Sequence, residues 1–367
     1  MSRILVTSMG GSGSNNFVKS VRMSPYGKTV EFLGTHADRF ELACSVAERN
    51  YLVAYVRDEE EYIEQTAEII RREDIDLITP NSDEEVLAIS RHRDDLGCRT
   101  FLPDHEAIVA VQDKFWLHGI LKRNGVHTAQ TYEVDDLAEI EKSLEQLPRE
   151  TGRFWIRVKR GSGSMAATWV KTAEQARKWI DLWRELQGVE LSDFIISEFL
   201  PGRDFAVHTL WKDGELLAAK VCERLAYFFA SMRLSGMSST PAVAMTLDNR
   251  QAINESIKAI KTVSQELGSE PNGIYELDLK ENASGEPCIT EINIGRFFMI
   301  SPIFMRTGQI NSGELYLRIA LGQSIDRSVE PIDVEPNVYM IRGLDKEVTL
   351  VRENEFQGLF ERPFPRL

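Results

Sequence analysis

The strongest chemical pattern in this chain lies in residues 275–293, which read YELDLKENASGEPCITEIN. The polar centre of that segment predicts a hairpin turning on Ser284 and Gly285. Such a turn sets Asp278 opposite Glu291 and Glu276 opposite Asn293. Strand alternation then places all four on one face, with Leu277, Leu279, Ile292 and Ile294 on the other. Like charges directly opposite each other destabilise a hairpin. A divalent cation removes that penalty, and carboxylate and amide oxygens are the hard donors that Mg²⁺ takes. The competing reading is a solvated acidic face, but the apolar opposite face lets the acidic one line a cleft. Arg296 follows closely, with the planar fork that suits a phosphate or an acyl phosphate.

A second pattern is Lys159-Arg160-Gly161-Ser162-Gly163-Ser164. It lies between two predicted strands, so it is not a Walker-type loop. A hairpin tip of small residues can fold over phosphates and offer N–H donors, with Lys159 as a point charge beside it; a plain mobile hairpin is the alternative. The N-terminal Gly10-Gly11-Ser12-Gly13-Ser14-Asn15 follows a strand and precedes a helix, a place where backbone N–H groups hold anions. It lacks a clean GxGxxG and an acidic residue about 20 positions on, so a substrate or structural turn is favoured over dinucleotide binding. The polar stretch from Arg233 through Ser238 and Ser239 is a candidate substrate loop, against an ordinary surface loop. Arg224 is a weaker phosphate candidate. Asn81, Ser82 and Asp83, just after the apolar run DLITP, are weak candidates for substrate contact. Cys44, Cys98, Cys222 and Cys288 are far apart, and the six histidines show no metal spacing. No Ser/His/Asp or Cys/His constellation is apparent.

The elements that must position these groups change character along the chain. RILVT, VEFLGTHAD, YLVAYV and DLITP read as strands. They alternate with helices near FVKSVRMS, FELACSVAE, EYIEQTAEIIRRED and DEEVLAISRHRDDL, the last capped by Ser82. This predicts a doubly wound α/β unit of about 100 residues. From residue 112 an α+β pattern takes over. QDKFWLHGILKRNG is a helix stopped at Gly125, DDLAEIEKSLEQL is another, and FWIRVK and MAATWVK are strands. Thr172 and Gln175 form a capping box for a helix that Gly188 ends. FIISEFLPG opens a third part, Lys212-Asp213-Gly214 marks a hairpin, and NRQAINESIKAIKTVSQELG is a long amphipathic helix. VYMIRGL reads as one more strand.

With 367 residues the chain suits two or three compact units. Its net charge of −14 argues against general nucleic-acid binding, although a local basic pocket remains compatible with it. The opening MSRILVTSMGG has too short an apolar run for a secretory leader, and no run reaches the ~20 apolar residues of a membrane span. Scattered cysteines fit a reducing compartment. The expectation is a cytoplasmic enzyme or binding protein with no membrane and no nucleic acid as partner.

Taken in order, these motifs resemble the ATP-grasp superfamily over about residues 1–320. Residues 1–105 resemble its pre-ATP-grasp domain, and Gln112-Asp113-Lys114 its first ATP-binding lysine. Lys159 with Ser162, Gly163 and Ser164 resembles its second lysine and phosphate-covering loop. Ser197-Glu198-Phe199-Leu200 with Gly202 and Asp204 resembles its adenine hinge. Asp278, Glu291 and Asn293 resemble its metal set, with Arg296 near its arginine. The chain is most similar to the carbamoyl-phosphate-synthase-like group of single ATP-grasp proteins, through ILVTSMGGSGSN, IDLITPNSDEE and SGMSSTPAV. It departs at Arg160, where Pro usually follows the lysine, at Ser197, where Gln or Glu is common, and by one extra residue before Arg296.

The resemblance implies an α/β fold: a Rossmann-like pre-ATP-grasp domain (1–105), then two ATP-grasp lobes (106–194 and 195–325) and a C-terminal extension (326–367). It implies an ATP- and Mg²⁺-dependent, ADP-forming ligase that joins a small carboxylate to an amine or related nucleophile through an acyl phosphate, with Mn²⁺ as a substitute ion and a homodimer as the assembly. Backbone groups of Glu198 and Leu200 would bond adenine, Asp204 the ribose, and Arg296 and Lys159 would act in catalysis. The alternatives are a carboxylate or carbamate kinase that releases the acyl phosphate, a non-catalytic ATP sensor, and a dehydrogenase using the first Gly-rich turn.

Overall fold

Short apolar strands buried on both faces need cover on both sides, and the first hundred residues supply it. The computed structural model describes residues 1–161, 163–236 and 238–343. Ser2–Val6, Val30–His36, Arg49–Leu52, Leu77–Thr79 and Arg99–Thr100 form a five-stranded parallel sheet. Numbered along the chain, the strands lie in the order 3-2-1-4-5. Ile4 and Val6 enter one core with Phe17 and Phe32, while Leu5 enters the other with Leu33 and Ile63. The order reverses between the first and fourth strands, and open sheets of this kind bind ligands outside the carboxyl ends at that reversal. Asn81, Ser82 and Asp83 follow the fourth strand and lie there. Ser82 caps the helix Asp83–Arg91 by accepting from the Glu85 N–H at 3.2 Å.

The first Gly-rich turn is a packing device. The helix Ser12–Arg22 begins inside the turn rather than after it. Gly10 has φ +92°, and a Cβ there would lie 1.7 Å from the Glu41 carbonyl oxygen. The helix expected around residues 40–48 shrinks to Arg39–Leu42. Asn15 pulls the next residues away from helical geometry, donating to Cys44 O at 2.8 Å and accepting from the Val46 N–H at 3.3 Å.

The next unit is a four-stranded antiparallel sheet ordered Thr131–Glu133, Phe194–Glu198, Phe154–Val158 and Thr168–Val170. The boundary drawn at 194/195 falls inside the strand Phe194–Glu198, whose partners all lie in this sheet. Phe154, Ile156 and Val158 face a core shared with the helices Ile140–Gln146 and Ala173–Gln187. Alternation therefore turns Trp155 and Arg157 to the uncovered face. Thr172 caps its helix as expected, but Gln175 reaches back to the Lys171 N–H at 2.8 Å, one residue short of a true capping box.

The largest sheet is six-stranded and antiparallel. Its order is Pro287–Ile294, Gly273–Glu281, Asp204–Lys212, Glu215–Tyr227, Pro241–Thr246 and Tyr339–Ile341. The helix Arg250–Leu267 and the helix Lys114–Arg123 cover one face through a core containing Leu117, Phe205, Ile260, Leu277 and Ile292. Gly125 at φ +66° and Gly268 at φ +65° follow these two helices in the left-handed conformation that stops them. Of the proposed extension, residues 344–367 lie outside the described residues. Among those described, no helix is long and apolar enough to cross a membrane.

Residues 330–341 are tied to this sheet by a buried ion pair. Lys220, with its side chain 2% exposed, places Nζ 3.0 Å from Asp333 Oδ2. It also donates to Ile310 O at 2.7 Å and to Thr307 O. Asp333 accepts in turn from the N–H groups of Gln309 and Ile310 at 2.8 and 2.7 Å. Burial opposes the charge of Asp333, but those N–H groups and Lys220 outweigh it and hold the carboxyl below its usual range. Asp333→Ala leaves a buried ammonium unpaired and should cost about 3–5 kcal/mol in chemical denaturation at neutral pH. Because the folded pKa of Asp333 is depressed, that increment is present above the unfolded carboxylate range, near ~4, and shrinks as pH falls through the folded value.

Candidate active site

The acidic hairpin forms as its sequence predicts, with one added feature. Asp278 faces Glu291 and Glu276 faces Asn293, yet nearer the turn the pairing slips to Leu279 with Ile289. The extra residue is Thr290, so a β-bulge sits at the site itself. The Thr290 hydroxyl donates to Asp278 O at 3.0 Å. Its carbonyl accepts from Arg157 Nη2 at 2.6 Å and pairs with His118 Nε2 at 2.9 Å. Burial pushes His118 down to about 3, so it stays a neutral bridge, with Nδ1 2.6 Å from Thr131 Oγ1.

Asp278, Glu291 and Asn293 open into a cleft of about 900 Å³ between the two antiparallel sheets, with Asn81 and Asp83 of the first unit at its wall. Glu276 does not join them. It is fully buried, 2.9 Å from His208 Nδ1, under the Phe297 and Phe304 rings that stack on His208. The expected acidic face exists, but the chain after Arg296 roofs half of it. Two carboxylates and one amide remain. Among the described residues no group of three or more His, Cys, Asp or Glu is arranged to hold a metal.

Four cations converge on these groups. Lys114 opens the helix Lys114–Arg123, whose start Asp113 caps through the N–H groups of Phe115 and Trp116. Its Nζ lies 3.6 Å from Glu291 Oε2 and donates to Gly161 O at 3.1 Å. Arg157 Nη1 stands 3.3 Å from that same Glu291 oxygen. Arg224 binds Asp278 and approaches Asp204 at 3.4 Å. Arg296 Nη2 donates to Asn293 Oδ1 at 2.6 Å and to Asp83 Oδ2 at 3.0 Å, joining the first unit to the hairpin.

Burial would raise Glu291, but Lys114 and Arg157 outweigh it and hold this carboxyl below the usual range. Burial also raises Asp278; Arg224 opposes the shift, the Glu291 charge adds to it, and the balance leaves Asp278 well above the usual range. Lys114 and Arg157 are both lowered, mainly by burial, against the pull of Glu291.

Several sequence expectations need correction. Lys159 is not on the cleft wall; it donates to Glu133 Oε1 at 2.8 Å. Arg233 is exposed and off the wall, whereas Ser238 and Ser239 of the same loop are on it. The Glu198 N–H is taken by Gln130 O at 2.9 Å and is not free for a ligand. Glu198 and Asp204 are nonetheless on the cleft wall, with Asp204 accepting from the Tyr227 hydroxyl at 2.8 Å. Ser162 lies outside the described residues. Gly163, Ser164, Phe199 and Leu200 do line the cleft. Sequence reasoning missed Arg157, Tyr227 and an aromatic cluster in which Arg153 lies 4.6 Å from the Trp169 ring and 5.5 Å from the Phe199 ring. The alternation of FWIRV was the available signal, because it sets Trp155 and Arg157 on the face its apolar residues leave.

No protein-family model and no curated protein matches the sequence. Solved structures do match. The biotin carboxylase domain of Hydrogenobacter thermophilus 2-oxoglutarate carboxylase, in complex with MgADP, ADP and bicarbonate, has a TM-score of 0.69 at 14% identity, over 92% of this chain and 73% of its own. L-amino acid ligase from Bacillus licheniformis has a TM-score of 0.64 at 14% identity, over 88% and 74%. N5-carboxyaminoimidazole ribonucleotide synthetase from Thermus thermophilus has a TM-score of 0.64 at 17% identity, over 88% and 79%. Identities this low speak for a shared fold.

The ion-pair arrangement makes a direct prediction. Arg224→Gln takes from Asp278 the guanidinium that opposes its raised proton affinity and leaves Asp204 only the more distant Lys280, at 3.9 Å. Chemical denaturation should show a loss of about 3–5 kcal/mol at alkaline pH, where both carboxylates are ionised, and a smaller loss as pH falls and Asp278 takes up a proton.

Proposed function

With the ATP-grasp fold as its frame, we propose that the chain is an ATP-dependent, ADP-forming ligase that joins a small carboxylate to an amine or related nucleophile through an acyl phosphate. The observation that carries this reading is the cleft itself. Two facing carboxylates and an amide on one lobe meet two buried cations from elsewhere, Lys114 and Arg157, across a single space.

The Asp278 and Glu291 pair fits a divalent cation. Both carboxyl groups are half-buried, the charge of Glu291 helps to keep a proton on Asp278, and their oxygens with Asn293 Oδ1 are hard donors. These three residues would hold Mg²⁺, or Mn²⁺ in its place, which supplies charge neutralisation for phosphate oxygens. A site with so few protein ligands suits Mg²⁺, which keeps waters and takes substrate phosphates as further ligands.

Around it, Lys114 would neutralise charge on the phosphates, and the loop carrying Gly163 and Ser164 would close over them. The Glu198–Leu200 segment would meet the base and Asp204 the ribose. The substrate carboxylate then attacks the γ-phosphate in line, giving an acyl phosphate and ADP. The nucleophile adds to the acyl carbon and phosphate leaves. Arg296 is set to steady the tetrahedral oxyanion: Asp83 and Asn293 hold two of its nitrogens, and Nη1 makes no hydrogen bond among the described residues. Asn81 and Asp83, with Ser238 and Ser239, mark the substrate end.

An ADP-release screen of carboxylates with and without amines, read with product mass spectrometry, tests the reaction. Ligation requires both partners for sustained turnover; ADP formation with the carboxylate alone indicates a kinase, and no ADP with any pair contradicts the reading. Lys114→Gln should lower kcat by ~10²–10³ if the ammonium acts as one electrostatic donor. Asp278 binds a proton more tightly than an ordinary carboxylate, so Mg²⁺ must expel that proton. Calorimetry in buffers of different ionisation heat should show proton release at neutral pH, and Mg²⁺ affinity should rise with pH until Asp278 is ionised without the metal.

A further inference from the structure

We propose that Arg157, not Lys159, is the cation through which the first lobe holds the phosphates of a nucleotide; this assignment rests on the ATP-dependent reading above. Lys159 has the expected place in the sequence, ahead of the Gly-rich loop, but its ammonium is committed to Glu133 and stands off the cleft wall. Two positions earlier on the same face, Arg157 lines the cleft with its side chain 14% exposed. Its Nε is buried without a hydrogen-bond partner. Its Nη2 is fixed by the Thr290 carbonyl that the bulge presents.

Charge counting carries the argument further. Arg157 Nη1 and Lys114 Nζ approach one oxygen, Glu291 Oε2, at 3.3 and 3.6 Å. Two buried cations share one carboxylate, which leaves a local excess of one positive charge. If Glu291 turns towards a metal ion, both cations lose their partner together. A buried, unpaired cation is strongly unfavourable, and a diphosphate restores the balance. The guanidinium adds a planar fork matched to phosphate oxygens, which an ammonium lacks. Arg157 belongs to one sheet and Glu291 to the other, so the same phosphates would also tie the two lobes together.

Calorimetric binding of ADP and of adenosine to the full chain, with Mg²⁺, tests this. Arg157→Gln should weaken ADP binding by about 10–100-fold and leave adenosine binding unchanged, the size expected of one charge-assisted contact. Arg157→Lys should recover part of the loss. Lys159→Gln should change ADP affinity less than about threefold. ADP affinity lost in Lys159→Gln but kept in Arg157→Gln overturns the assignment. Loss of ADP and adenosine binding alike in both Arg157 variants also overturns it, since that marks a purely structural role. A wild type that binds neither ADP nor ATP overturns the ligase reading together with this one, whereas tight ADP binding by wild type and Arg157→Gln alike overturns this one alone.

Discussion

A single carboxylate oxygen, Glu291 Oε2, is where three separately built parts of the molecule meet. The hairpin supplies it, the helix Lys114–Arg123 brings Lys114 to it, and the four-stranded sheet brings Arg157. None of these elements can move far without separating buried opposite charges, and separation of that kind costs several kcal/mol. The same logic runs outward. Arg224 holds Asp278 and Asp204 on neighbouring strands, and Arg296 fastens Asn293 to Asp83 at the reversal point of the parallel sheet. The cleft is thus a network of paired charges between apolar layers, and its shape follows from their pairing.

This network changes the meaning of the overall charge. A chain of net charge −14 is unpromising for a polyphosphate ligand. Yet Lys114, Arg157, Arg224 and Arg296 all reach one cleft, each largely withdrawn from water. Inside that space the local balance governs binding, because charges removed from water are little screened by salt. Around Glu291 the balance is positive.

Much of the fold was legible in the sequence. Period-2 and period-3.6 patterns separated the parallel unit from the antiparallel body. Ser82, Gly125, Gly188 and Gly268 stopped or started helices where their chemistry predicts. The Asp278–Glu291 pairing was legible too, though it depends on a bulge at Thr290 that offsets a shifted turn, and spacing alone does not contain that compensation. What the sequence hid was tertiary. Glu276 has the parity of Asp278, but only the chain folding back after Arg296 decides which of them is roofed. Lys159 matches its motif in order, but Glu133 on a strand distant in the chain decides where its ammonium goes. Arg157 looks like an ordinary solvent-facing residue of an amphipathic strand until the second lobe closes over it.

The most direct test of the account is a crystal structure of the full chain with ADP and Mg²⁺. The account predicts the diphosphate on Lys114 and Arg157, and the Glu291 carboxylate turned from those cations onto a metal shared with Asp278 and Asn293. A diphosphate bound elsewhere in the molecule, or one bound in the cleft while Glu291 keeps both cations and no metal occupies the hairpin, would contradict it.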